Sequence, residues 1–107
     1  MIKIKTTKKD NEYISFEISG HAKSGPYGYD LVCAGVSAIT FGATNALFAI
    51  GEYEPIIEQA NDGGYLYVEL PADLSLEQME KSQTIIQTMI ISLETIEREY
   101  RQFIQIN

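Results

Sequence analysis

The sequence predicts an α+β domain, in which one mostly antiparallel sheet of about five strands carries two packed helices. Three observations support this. Two pairs of extended segments are each split by turn residues, which is hairpin patterning. Each pair is followed by a longer segment of helical character. A short apolar run, Phe103-Ile104-Gln105-Ile106, then adds a final strand and gives the order ββαββαβ.

The elements follow in turn. Ile2 and Ile4 alternate with Lys3 and Lys5, Lys9-Asp10-Asn11 turns the chain, and Ile14, Phe16 and Ile18 alternate with Ser15, Glu17 and Ser19. Period two makes this a hairpin with one wet face. Residues 20–29 (GHAKSGPYGY) hold three glycines and a proline and read as a loop. Residues 31–51 then run without a charge for 21 positions, long enough to cross a bilayer at about 20 residues. Gly35, Ser37, Thr40, Gly42, Thr44 and Asn45 dilute the apolar content, and the flanks carry Asp30, Glu52, Glu54 and Glu58 rather than Lys or Arg. The favoured reading is a helix buried on most faces, ending at Gly51 as a C′ residue that tolerates positive φ. Ala34, Ala38, Gly42, Ala46 and Ala49 line one side of it. They permit close approach by the second helix or a dimer mate, and packing within the chain is the default.

Segments 53–59 and 65–70 flank Asn61-Asp62-Gly63-Gly64, strong turn chemistry, and Pro55 marks the first of them as an edge or bulged strand. Ser75 and Gln78 form a capping box. Met79, Ile86, Met89, Ile90, Leu93, Ile96 and Tyr100 follow at three- and four-residue spacing, an amphipathic helix over residues 75–100.

Composition narrows the function. At 107 residues the chain is one domain's length, and 15 acidic against 8 basic residues give a net charge of −7. Binding nucleic acid through its phosphates needs clustered Lys and Arg, so no direct nucleic-acid partner is expected, and no membrane. Residues 1–9 (MIKIKTTKK) lack the apolar core of a signal peptide. One cysteine, Cys33, and one histidine, His21, exclude an internal disulfide and a four-ligand zinc site. Neither metal nor cofactor is expected, and a lone thiol fits a reducing cytosol.

The same two residues are the candidates for chemistry. With Asp30 as N-cap, Cys33 falls in the first helical turn, where unpaired N–H groups and the macrodipole stabilise a thiolate. His21 ends the second strand, and the glycine-rich loop can bring its imidazole to the sulfur as general base and acid. Asp30 or a backbone carbonyl would hold the other ring nitrogen. The competing reading is a small buried cysteine and an ordinary histidine. Tyr27 and Tyr29 would either cover a substrate peptide or pack the loop down. Gly25, Pro26 and Gly28 suit a lid, or in the case of Gly28 simply a turn.

Gly20-His21-Ala22, then Gly28 and Tyr29, then Asp30-Leu31-Val32-Cys33-Ala34-Gly35-Val36-Ser37 resembles the ribosomal-processing cysteine protease Prp family. The family pattern is GHA, a short glycine-containing loop, and a helix start D-[I/L]-V-C-A-A-V-S. The order of elements agrees over nearly the whole chain, so the resemblance implies a single Prp-like domain over residues 1–107. Gly35 departs from the usual alanine, and the loop with Gly25-Pro26 differs in composition from common members. The resemblance implies a cytoplasmic, homodimeric cysteine endopeptidase. Its substrate would be the N-terminal extension of large-subunit ribosomal protein number twenty-seven, removed in support of ribosome assembly. Matched by position, Cys33 is the nucleophile and His21 the base and acid. Asp30 and Ser37 occupy supporting motif positions, and Gly25, Tyr27, Gly28 and Tyr29 lie on the substrate loop. Ser37 is one helical turn from Cys33 and would share its face or only bond back to a helix carbonyl. The alternative from another class is a non-enzymatic dimeric binding module that holds a ribosomal or translation partner by the loop or the edge at residues 53–59. A thiol redox sensor at Cys33 would lack a resolving cysteine.

Overall fold

The computed structural model describes residues 1–20, 29–61 and 64–107, residues 29 and 30 by backbone alone. The elements are β1 (Ile2–Lys9), β2 (Glu12–Ser19), α1 (Tyr29–Ala49), β3 (Ile56–Gln59), β4 (Tyr65–Glu69), α2 (Leu76–Tyr100) and β5 (Ile104–Ile106), the order the sequence predicts. They build one five-stranded sheet, ordered β3-β4-β2-β1-β5. Neighbours are antiparallel except β5, which runs parallel to β1, so the sheet is mixed. Asp10 and Asn11 join β1 to β2 with φ of 53° and 68°. Two successive left-handed residues make the type I′ connection, whose twist matches that of the strands. Between Thr7 and Lys8 the register shifts by a bulge that the alternation did not reveal.

The two helices cover one side of the sheet. Ile2, Ile4, Phe16, Leu66, Val68 and Ile104 meet Val32, Val36 and Leu47 of α1 and Ile86, Met89 and Leu93 of α2 in one buried cluster. Thr40 and Thr44 are also buried, and their hydroxyls are satisfied by the carbonyls of Val36 and Thr40 at 2.9 and 2.8 Å. Ser75 caps α2 as predicted, accepting from the Gln78 N–H at 3.1 Å while the Gln78 side chain accepts from the Ser75 N–H at 3.0 Å.

Several expectations need correction. Helix α1 is not buried on most faces: only about a third of the apolar window Leu31–Ala49 is covered. Nor does the small-residue side face α2. Ala34, Ala38, Gly42 and Ala49 are exposed and Ala46 is half-buried, because α1 turns Val32, Val36, Thr40, Ala43, Thr44 and Leu47 to the core instead. The helix ends at Ala49, and the left-handed residue after it is Glu52, φ 59°, rather than Gly51. Gly51 is needed for space: a Cβ there would collide with the Leu47 carbonyl oxygen and come within 2.6 Å of the Tyr53 ring. Strand β3 starts at Ile56, three residues later than the sequence suggested, just after Pro55, which has no N–H for a ladder. Tyr53 instead turns inward, its hydroxyl 2.6 Å from that of the buried Ser82. The wet face of β2 is only partly wet, since Ser15 is buried. The middle of the Asn61–Gly64 turn, Asp62 and Gly63, lies outside the described residues.

Candidate active site

One end of the molecule collects the termini that matter. Ser19, last in β2, pairs with Lys3 on one side and Tyr65 on the other. Gly20 then leaves the sheet, donating its N–H to the Gly64 carbonyl at 3.0 Å. Its φ is +87°, and a Cβ at this position would collide with the Met1 carbonyl oxygen. Only glycine fits both conditions without strain. The backbone is therefore pinned one residue before His21. Sequence reasoning used Gly20 only as part of a motif; an isolated glycine at a strand end was the available signal for close approach.

His21, Gly25, Tyr27 and Gly28 lie outside the described residues, as do the side chains of Tyr29 and Asp30.

Cys33 is described. It sits half-buried on α1, packed against the main core cluster rather than enclosed by it. Val32 and Val36, on either side of it, anchor that part of the helix in the core at 1% and 3% exposure. A side chain on a helix leans toward the N-terminus, so the thiol is directed back over the first turn. Across from it, Gly35 faces Ile96 of α2: a Cβ at Gly35 would stand 3.2 Å from Ile96 Cδ1. The close approach ties the start of α1 to the end of α2 on the side of the helix away from the thiol.

The helix start is one residue earlier than the capping argument assumed. With α1 beginning at Tyr29, Asp30 is inside the first turn and is not the N-cap. Cys33 then lies on the second turn. An α-helix leaves only its first four N–H groups without intrahelical partners. The N–H groups of Cys33 and Ala34 thus fall within the helical ladder. The N–H groups of the first turn that have no partner within the helix belong to Tyr29, Asp30 and Leu31. Ser37, one turn beyond Cys33, is exposed.

A family model described as cysteine protease Prp matches residues 1–105. The ribosomal processing cysteine protease Prp of Bacillus subtilis (strain 168) is 46% identical over 97 residues, covering 91% of this chain and 87% of that protein. Two crystal structures of the essential ribosomal processing protease Prp from S. aureus share the fold. The one with a covalently linked product peptide has a TM-score of 0.85 at 36% identity, and covers 100% of this chain and 98% of that one. The one with a substrate peptide has a TM-score of 0.84 at 35% identity, with the same coverage.

Proposed function

This chain belongs to the cysteine protease Prp family and is a cysteine protease, and we propose that it removes the N-terminal extension of large-subunit ribosomal protein number twenty-seven with a Cys33–His21 dyad. The observation that carries this reading is the GHA and DLVCAGVS pair of motifs, which puts the chain's one histidine and one cysteine at the family's positions. The S. aureus relative holding a covalently linked product peptide supports it, since covalent attachment is what nucleophilic catalysis produces.

In the proposed reaction His21 takes the Cys33 proton and the thiolate attacks the scissile carbonyl. The carbonyl oxygen becomes an oxyanion, stabilised by the free N–H groups of the first turn of α1. Collapse of this intermediate expels the amine, which takes its proton from the His21 imidazolium. Water activated by the neutral imidazole then hydrolyses the thioester, releasing the acid product and regenerating the thiol. Asp30 and Ser37 support the site, and Gly25, Tyr27, Gly28 and Tyr29 contact the peptide. No metal or cofactor takes part. The reaction is placed in the cytoplasm, in ribosome assembly, with the protein as a homodimer.

The test is a peptide spanning the extension, followed by mass spectrometry. Wild type should cut it once, and Cys33→Ser and His21→Ala should each leave it whole. Wild type that binds the peptide without cutting it would overturn this substrate and favour a binding module.

A further inference from the structure

The end of the molecule that holds Gly20 and the start of α1 carries a second feature. Beside Met1 lies an open recess of about 620 Å³, walled by Glu97, Arg98 and Arg101 from the end of α2 and by Ile104 and Gln105 of β5. Arg98 and Arg101 are the only arginines in the chain. Each has a carboxylate four positions before it, Glu94 for Arg98 and Glu97 for Arg101, the favoured order for an ion pair along a helix. Neither pair forms: among the described residues the one ion pair joins Lys81 to Glu77. Glu97 instead accepts the Ile106 N–H at 2.9 Å, and Arg98 donates to the Thr95 hydroxyl at 3.4 Å. Arg101 stands on a fixed turn, where the Phe103 N–H donates to the Tyr100 carbonyl at 2.9 Å and the two rings stack with centroids 6.4 Å apart. Two guanidinium groups thus line one recess with no carboxylate paired to either among the described residues.

The recess opens where the strands lead toward His21. The Met1 carbonyl is the group that crowds Gly20, and Ile104 pairs with Ile2 at the start of β1. In the sheet β5 stands two strands from β2, about 10 Å away at the usual strand spacing. An extended peptide advances about 3.3 Å per residue, so roughly three residues cover that distance.

We propose that Arg98 and Arg101 form a specificity subsite for a carboxylate, an aspartate or glutamate side chain of the peptide substrate about three to five residues from the scissile bond. The proposal rests on the substrate reading above and deepens it. A guanidinium offers a planar fork of donors that meets a carboxylate in two parallel bonds. The rest of the chain is acidic, at a net −7, so an acidic substrate residue is repelled elsewhere and held only here. Pairing it fixes the register of the peptide, and hence which bond reaches Cys33. Arginines also suit the negative end of the α2 dipole; that role alone would change stability and not the choice of peptide.

The experiment measures binding of labelled extension peptides to Cys33→Ser protein by fluorescence anisotropy, alongside cleavage by wild type. Each peptide residue is replaced in turn by aspartate, alanine and lysine. At one position aspartate should bind on the order of 10-fold tighter than lysine, as for one charge-assisted pair, and the preference should shrink as salt rises. In wild-type kinetics the same aspartate should lower KM and leave kcat nearly unchanged. Replacing both arginines by glutamine should abolish the preference, and replacing both by glutamate should invert it, with circular dichroism confirming the fold. Glutamine matches arginine in helix propensity, so the neutral variant decides the matter if the reversed one fails to fold. Lys81→Gln, which removes the paired cation at the far end of α2, should keep the preference. Equal affinity at every position, or a preference that survives loss of both arginines, would overturn the subsite even where wild type cuts the peptide. A preference that depends on the arginines in a protein that cuts nothing would support the subsite and overturn the proposed cleavage. Oligouridylate that displaces the peptide, and whose binding is lost with the arginines, would assign the recess to phosphate and overturn the proposal.

Discussion

Replacing Gly20 by alanine tests whether the fold pins the strand end that leads to His21. Two effects add. The residue holds φ at +87°, where an L side chain costs about 1–2 kcal/mol. The new Cβ also meets the Met1 carbonyl oxygen, a backbone atom that no rotamer change can move aside. Moving Met1 disturbs the start of β1, where the Ile2 N–H donates to the Phe103 carbonyl at 2.8 Å. Together these should destabilise the protein by about 2–4 kcal/mol, within the range of named strain mechanisms. Urea unfolding at an unchanged slope would read it as a lower midpoint. Relief of the clash by a shift of Gly20 itself would carry His21 along. Since a displacement near 1 Å can cost about a hundredfold in rate, cleavage by the still-folded variant should fall by about 10- to 100-fold. Gly42→Ala is the control. It is helical with nothing within 4 Å of the new methyl, so it should stabilise by about 0.5–1 kcal/mol. Gly20→Ala within 0.5 kcal/mol of wild type, at undiminished activity, would refute the reasoning.

Further outcomes follow from the packing. Phe16→Ala empties a position 1% exposed at the centre of the core and should cost about 3–5 kcal/mol in denaturant unfolding. Ser75→Ala removes the acceptor of the α2 capping box and should cost about 1 kcal/mol, seen as a lower unfolding temperature. Tyr53→Phe strips the buried Ser82 hydroxyl of one partner, although Ser82 still donates to the Gln78 carbonyl at 2.7 Å. Its cost should therefore stay near 1 kcal/mol. Tyr53 also predicts a pH dependence. Burial pushes its phenol above the ordinary value of 10.0, opposed by the Ser82 hydrogen bond. A group raised on folding contributes its stability below the unfolded value and loses it as pH rises beyond. Stability should thus decline from about pH 10 upward, and less steeply in Tyr53→Phe.

The sequence read well where one local rule governed. The Asp10-Asn11 turn, the Ser75–Gln78 box and the edge position of the strand after Pro55 each depend on a few neighbouring residues, and each is found in the structure. Errors arose where two elements had to meet. Gly51 was read as a conformational need and proved to be a spatial one, set by Tyr53 folding back over the helix end. Ser82 was invisible as a core residue because its partner, Tyr53, is 29 positions away. The mobility reading of residues 25–28 and the position of the imidazole remain matters of motif rather than of geometry, whereas the thiol's setting is physical. Val32 and Val36 fix the helix to the core, and the close approach of Ile96 at Gly35 holds its opposite side to α2.

The orientation of α1 carries the largest lesson for function. An uncharged stretch of helix length permits three environments: a bilayer, a protein interior, or half of each with a partner still to come. Composition alone could not choose among them, because alanine and glycine are compatible with all three. Burial separates them. The residues that could pack a core, Val32, Val36 and Leu47, face inward, while Leu31, Phe41 and Phe48 face out beside a row of small residues. Helix α1 therefore divides its faces by size as well as polarity: Val32, Val36 and Leu47 hold it to the core beside Cys33, while Phe41 and Phe48 stand exposed on its other side.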